Sequence, residues 1–500
     1  MKKYISLIIL VLFTAFIWTP VAFGESIQAE TFQRLDKIRE EKKKQLFDYL
    51  EKINKNADAI STDSAMLGFF DIKNKYYQFQ ELKTPPEDLS QTIEELKQKI
   101  NEHYIRNYLS FYDILFIDKD GNIFYTIRKE ADYHKNIFRG ELSKTVLARQ
   151  LKMHPNETFV DYQYYAVSDE PSSFIVKPVI KDGLLAGWFV FQCAINKINN
   201  MFTQAKGLGA TGEVFLVNKQ NYMLTDSRFY GDSSILKRHL SRENIESKFR
   251  ERAGHKTIID YRGFRAFSSF KVCQIANSEW LLIAKIDEDE IITEQYKKKR
   301  KELRQSIFQS FSEENPRDCD TITTGIKPIV VDMDEFRKVN NREMICTFGV
   351  STCTAVIVSF PERFAYMSHI SNLDRIYGGD TTDLIGHMFK QINNFDIYKY
   401  ELRELQVTIV ANHFETIMNT IDRLVDEGLF LSQIRFIYNG DAQYARVIHD
   451  YVKNQTFVEW LMDRATGKRL RQCASDVKTI GDMIKSLMTQ GLGVKEELEK

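Results

Sequence analysis

Three groups that together make a cysteine hydrolase fall close to one another in the last third of this sequence: the thiol of Cys353, the imidazole of His369 and the hydroxyl of Thr347. A thiol becomes a useful nucleophile only with a base within hydrogen-bond reach, and the base needs a third group to hold its ring. In the stretch Thr347-Phe-Gly-Val-Ser-Thr-Cys353, Gly349 and the small Ser351 and Thr352 let the backbone turn tightly before the sulfur. Thr354-Ala-Val-Ile-Val-Ser-Phe360 then reads as a strand running away from it, and His369 returns on the partner strand. The same residues also fit a domain without chemistry, because free cysteine packs as a small hydrophobe and a lone histidine is usually structural.

Thr347, Cys353 and His369 follow the order, and nearly the spacing, of the T-x-L-G-S-C-V core and following His of the CheD chemoreceptor glutamine deamidases, and this region resembles that family. The likeness extends to Tyr377-Gly378-Gly379-Asp380, similar to its R-Y-G-D step, and to Asn439-Gly440-Asp441 through Arg446, similar to its G-G-x-x-G-R turn. The sequence departs from the pattern where Thr352 replaces Ser, where Val350-Ser351 interrupts the Leu-Gly-Ser run, and where Thr408-Ile-Val-Ala-Asn-His413 lacks the family's glycines. The resemblance implies an α/β sandwich domain over 326–485, with Cys353 and His369 catalytic and Thr347 orienting the imidazole. It implies hydrolysis of a glutamine side chain to glutamate with release of ammonia. The alternative is a signalling protein in which this domain is an interaction module without catalysis.

The elements that precede this domain have a different character. Ile27, Phe32, Leu35, Ile38, Leu46, Leu50 and Ile53, set among Lys and Glu, predict one long amphipathic helix from Glu25 to about Thr62. A second helix is expected over Glu94–Tyr108. Two apolar runs around Asp120-Gly121-Asn122, and another two around Lys181-Asp182-Gly183, predict antiparallel hairpins. A long helix feeding such sheets resembles the extracellular double Cache sensors. The resemblance is carried by Phe124–Asp132, Gly207–Val217, Asp226–Arg228, Asp260–Gly263 and Trp280–Asp287. It implies two PAS-like antiparallel modules over 25–290 and an α+β fold overall, with a small ligand held in the distal module. Candidate pocket residues are Tyr125, Arg128, Tyr162, Tyr164, Asp169, Ser172 and Lys177, since such pockets combine aromatics with a few convergent polar groups. Residues 291–325, with Lys297-Lys-Lys-Arg-Lys301 and then Ser312–Asp320, read as a charged helix and a polar linker, and 486–500 as a tail.

At the start of the chain, Lys2-Lys3, the apolar run Ile5–Trp18 and Ala22-Phe23-Gly24 have the layout of a secretory signal peptide over 1–24, or of an uncleaved anchor. The remainder is then expected in the periplasm or outside the cell, with no second membrane span. The 500 residues carry 69 basic and 69 acidic side chains, so no overall field draws in nucleic acid, and no nucleic-acid partner is expected. Six cysteines without paired C-x-x-C spacing, and nine scattered histidines, predict neither a disulfide framework nor a metal or other cofactor. The expected partners are a small molecule for the sensor half and a protein substrate or partner for the C-terminal half.

Overall fold

The computed structural model describes residues 2–81, 86–107, 111–156, 158–204, 206–311, 327–340, 343–371 and 383–489. The fold is α+β, and the chain divides into two compact units, the first Thr31–Ile286 and the second Asp287–Glu497 together with Met1–Glu30. Among the described residues no helix is long and apolar enough to cross a membrane. Cys193, Cys273, Cys346 and Cys353 are free and buried, and Cys473 is disulfide-bonded.

The helix Lys2–Ser61 runs through the leader-like stretch and onward, and the first unit takes it up from Thr31, followed by helices Ser64–Glu81 and Glu87–Asn107. The middle helix was not expected from the sequence. A five-stranded antiparallel sheet follows, built from β1 (Asp113–Asp118), β2 (Ile123–Thr126), β3 (Thr158–Tyr165), β4 (Glu170–Lys181) and β5 (Leu184–Ala194) in the order β2-β1-β5-β4-β3. Both predicted hairpins form. In the first, Asp118 Oδ1 accepts from the N–H groups of Asp120 and Asn122, and Gly121 sits at φ +88°, where an added Cβ would overlap the Phe138 ring. In the second, Asp182 and Gly183 both have positive φ, the geometry of a two-residue turn matched to strand twist. A second antiparallel sheet comprises β6 (Glu213–Val217), β7 (Ala253–Ile259), β8 (Arg265–Ile275) and β9 (Ser278–Asp287) in the order β6-β9-β8-β7.

Alternation decides what each face of the first sheet touches. Leu115, Ile117, Phe174, Val176 and Val190 join Leu147, Ala148 and Leu151 of the helix Val146–Met153 in one core. On the other face Phe116, Phe124, Tyr125 and Phe189 pack edge to face against Phe69 and Phe70 of Ser64–Glu81, with ring centroids 4.9–5.9 Å apart.

The second unit opens with helices Glu288–Lys298 and Arg300–Phe311, broken at Lys299. The sequence suggested one charged helix leading to a linker. Instead Ile292, Tyr296 and Ile307 enter this unit's core, Tyr296 Oη donates to Asp422 at 2.8 Å, and Arg304 also pairs with Asp422. The lysines of the basic run lie on the outer face, with Lys297, Lys298 and Lys301 exposed. The polar stretch Ser312–Asp320 lies outside the described residues.

Two further five-stranded sheets follow. The first contains β10 (Ile329–Val330), β12 (Met344–Val350), β17 (Tyr444–Asp450), β18 (Gln455–Asp463) and β19 (Lys468–Cys473) in that order. The second has the order β11-β14-β13-β15-β16, from β11 (Glu335–Val339), β13 (Thr354–Phe360), β14 (Phe364–Ile370), β15 (Gln406–Ala411) and β16 (Ile434–Tyr438). Ala355, Ile357, Ala365 and Met367 share a core with Ile345, Val447 and Val458 of the other sheet, which makes the pair a sandwich. Their neighbours Val356, Val358, Phe364 and Tyr366 face a helical layer that includes Leu384–Gln391, Phe414–Asp426 and Ile480–Thr489. Buried on both faces, β13 and β14 read as nearly unbroken apolar runs, and each fully buried Val or Ile contributes on the order of 2 kcal/mol.

Candidate functional site

The imidazole and the hydroxyl meet between the two sheets, and the thiol is packed in the core between the same sheets. On β12 the register with β17 slips between Phe348 and Val350, and Gly349 occupies the slip at φ +72°. Only glycine takes that conformation without strain, and such a bulge sharply bends its strand. The chain thereby leaves one sheet, passes Ser351–Cys353 and enters the other as β13. Cys353 is 6% exposed and belongs to the core between the sheets.

His369 lies opposite Ala355 in the β13–β14 ladder, so the two side chains share a face. That face is the inter-sheet one, since Ala355 and Met367 both belong to its core. Cys353, two residues before Ala355, is packed in the same core. Thr347 comes from the opposite sheet and meets His369 across the gap, Oγ1 to Nδ1 at 2.7 Å. Thr347 Oγ1 also lies 2.8 Å from the Val331 carbonyl, which can only accept. The hydroxyl proton is thus committed to Val331, Oγ1 must accept from the imidazole, and Nδ1 carries the ring proton. Nε2 is left as a bare lone pair, buried and, among the described residues, without a hydrogen-bond partner.

Burial pushes the Cys353 thiol up and the His369 imidazole down, and the nearby carboxylate of Asp334 opposes the latter shift. At neutral pH both groups are therefore uncharged at rest. Among the described residues no hydrogen bond joins Cys353 Sγ to His369 Nε2. A second Thr–His pair lies in the same sandwich: His449 on β17 contacts Thr456 Oγ1 at 3.1 Å through Nδ1, and its Nε2 is likewise buried and unpartnered.

Of the other motif residues, Tyr377-Gly378-Gly379-Asp380 lies outside the described residues. Asn439–Asp441 forms the turn between β16 and β17, with Asp441 N–H donating to Asn439 Oδ1 at 3.1 Å, and the Arg446 guanidinium sits 5.1 Å from the Phe348 ring. Thr408–Ala411 is core strand, and His413 stands at the start of the helix Phe414–Asp426. Nothing in the sequence marks the Val331 carbonyl, since a backbone acceptor leaves no trace in residue types. Nor did it single out Asp334, one acidic residue in a polar segment.

In the sensor half the seven candidate residues do not converge. Tyr125 packs against Phe69 and Phe116 on the helix face, where Lys177 pairs with Asp58 at 2.6 Å. Tyr162 lies against the Trp280 ring at 5.7 Å. Ser172 accepts from Gln192 at 2.9 Å, while the exposed Tyr164 pairs with Asp169 at the β3–β4 turn. Arg128 stacks on the Tyr112 ring at 3.8 Å.

Arg128 belongs to a polar cluster at one end of the first sheet. Asp113, 1% exposed, accepts the N–H groups of Ile114, Ile127 and Arg128 on Oδ1, and burial pushes its carboxyl up to about 7. Asp132, also 1% exposed, receives Tyr165 Oη at 2.9 Å on Oδ2, while its Oδ1 is buried and unpartnered. Glu130 takes the Tyr112 hydroxyl at 2.7 Å, and Glu170 has a buried oxygen without a partner. Elsewhere in this unit, a cavity of about 660 Å³ is lined by Phe47, Leu50, Ile53, Phe159, Ile175 and Ile275 among others, and by none of the seven candidates.

No protein-family model matches the chain, and no curated protein matches it. Solved structures do. An extracellular ligand-binding receptor from Desulfohalobium retbaense aligns over 51% of this chain and 40% of its own length, at 13% identity and a TM-score of 0.34. The periplasmic sensory domain of a Campylobacter jejuni chemoreceptor aligns over 53% and 98%, at 13% identity and a TM-score of 0.38. The ligand-binding domain of the Pseudomonas aeruginosa amino acid chemoreceptor PctC, in complex with GABA, aligns over 51% and 100%, at 14% identity and a TM-score of 0.35.

Proposed function

We propose that this protein is an exported small-molecule sensor whose second unit is a CheD-like cysteine amidohydrolase acting on the carboxamide of a protein-bound glutamine. The observation that carries the reading is the bare Nε2 of His369, fixed by Thr347 on the face where Cys353 is packed. An imidazole held in this tautomer is ready to take a thiol proton. Nε2 removes the proton from Sγ, and the thiolate attacks the carboxamide carbon. The tetrahedral oxyanion is met by backbone N–H groups of the Gly349–Cys353 turn. His369 returns the proton to the departing nitrogen, ammonia leaves, and water cleaves the thioester to give glutamate and the free thiol. An exported enzyme cannot reach cytoplasmic receptor tips, so the substrate is a periplasmic or extracellular protein, or a small amide.

A second reading, an interaction module without chemistry, draws on the missing Sγ–Nε2 hydrogen bond and on a thiol that burial keeps protonated. One experiment separates the two. Ammonia release from glutaminyl proteins is measured with the purified protein, Cys353→Ala and Thr347→Val. Release abolished by Cys353→Ala and reduced by Thr347→Val supports the hydrolase, and equal release from all three, or none from any, rejects it.

For the sensor half, the carboxyls of Asp113, Glu130, Asp132 and Glu170 set beside the Tyr112 and Tyr165 rings suit a small organic cation. Arg128 already stacks on Tyr112 and acts on Glu170, and such a ligand adds further positive charge and the N–H donors that the Asp132 and Glu170 oxygens lack among the described residues.

A further inference from the structure

A fixed carboxylate stands just before the edge strand of the sheet that carries His369. β14 is flanked by β11 on one side and β13 on the other. Asp334, just before β11, donates its backbone N–H to the His369 carbonyl at 2.7 Å. Its carboxylate turns toward the end of β14, where Oδ1 accepts the Ser371 N–H at 3.0 Å and Oδ2 the Ser371 hydroxyl at 2.9 Å. Thr354 pairs with Ile370 at the last step of the β13–β14 ladder, so Cys353, just before Thr354, and Ser371, just after Ile370, lie at the same end of this sheet. Ser371 thus anchors a negative charge at the end of β14, two residues from His369, and that charge acts on both the thiol and the imidazole. Asp334 also holds φ at +59°, a conformation non-glycine residues take at a cost.

We propose that Asp334 is a positioning residue of the dyad, its clamped carboxylate favouring the imidazolium that forms when the Cys353 proton moves to His369 Nε2. This rests on the amidohydrolase reading. The same charge disfavours the isolated thiolate, so the thiol stays protonated until its proton has a place to go. Both thiol and imidazole are pushed up by Asp334, consistent with a charge that acts on the pair.

Other titratable and charged groups surround the dyad and must be separated from it. Asp332 lies in the same segment, is exposed and also raises His369. Glu335 opposes His369 in the β11–β14 ladder but is exposed and paired with Arg337 at 2.8 Å. From the other sheet comes His449, which feels Asp450, whereas Cys346 alternates with Thr347 onto the opposite face of that sheet.

The test is the pH profile of Cys353 alkylation by iodoacetamide in the full-length protein, followed by peptide mass mapping, for wild type, Asp334→Asn, Asp332→Asn and His369→Gln. Asparagine keeps an acceptor for the Ser371 N–H and removes the charge. Asp334→Asn should move the alkylation midpoint down by on the order of half a pH unit, speed alkylation near neutrality about threefold, and slow ammonia release. Asp332→Asn, more exposed to solvent, should shift the midpoint less. A purely structural role would leave the midpoint in place. An unshifted profile in Asp334→Asn beside a shifted one in His369→Gln overturns this assignment and leaves the dyad standing. Unshifted profiles in both, with no ammonia released by wild type, overturn the amidohydrolase reading and the role of Asp334 with it.

Discussion

His449 gives the fold of the second unit a pH limit whose size follows from its surroundings. It sits in β17 between the sheets, 2% exposed, with Nε2 unpartnered, and burial holds its imidazole at a pKa of about 4 against an ordinary 6.5, the neighbouring Asp450 opposing only in part. The folded side chain therefore stays neutral while the unfolded chain takes up a proton below pH 6.5. Stability from this residue is complete above that value, falls as the pH drops towards 4, and is constant below. A depression of roughly 2.5 units corresponds to about 3 kcal/mol, a large fraction of a typical domain's margin. The assay is urea unfolding of the full-length protein at pH values from 7.5 to 4, read by hydrogen exchange in peptides from β17 and β18. Carboxylates titrate in the same range, so the informative quantity is the difference between wild type and His449→Gln. The variant should start less stable at pH 7.5 and then lose about 3 kcal/mol less than wild type between pH 6.5 and 4. Parallel curves would refute the reasoning, because they would mean that His449 takes up its proton equally in both states.

The unit boundary at Asp287 predicts that a chain ending at Ile286 melts cooperatively. One ending at Phe311 should be less soluble, because Ile292, Tyr296 and Ile307 would lose the core they pack into; equal solubility of the two would count against that placement. Asp132→Asn should raise the melting temperature of the sensor unit in the absence of ligand, by removing a buried carboxylate with an unpartnered oxygen, and should abolish any thermal shift produced by small amines such as putrescine. An unchanged shift would move the ligand elsewhere. Gly121→Ala should cost roughly 2–4 kcal/mol, since its Cβ would meet the Phe138 ring at a positive φ; a loss below about 1 kcal/mol, measured by urea unfolding, would show that the ring moves aside.

What could be read in the sequence follows from which signals are local. Asp120-Gly-Asn and Asp182-Gly183 mark their hairpins because turn geometry is decided by adjacent residues. Thr354–Phe360 is the strand it promised, and His369 returns beside it, because a run of β-branched residues followed by a tight turn leaves few other options. The helix Ser64–Glu81 escaped because its aromatic residues carry little helical preference and are held by tertiary packing. The pair over 288–311 read as a solvated helix because its core residues, Ile291, Ile292, Tyr296 and Ile307 with Leu303 against them, are spread among many charges. The pocket residues proposed for the sensor half failed to gather for a reason of strand parity. Ser172 lies on the face of Phe174, whereas Lys177 and Tyr125 lie on the other, and register slips in β1–β2 and β3–β4 complicate any count by twos.

Thr347 and His369 come from different sheets, and the contact between them, with the Thr347 hydroxyl committed to the Val331 carbonyl, settles which ring nitrogen bears the proton. On the amidohydrolase reading proposed above, the chemistry is conditional on closure of the sandwich: a newly made or partly opened chain has the thiol and the imidazole but not the tautomer. A nucleophile that ripens only when two sheets meet would then be inert towards the chain's own amides until the unit has folded.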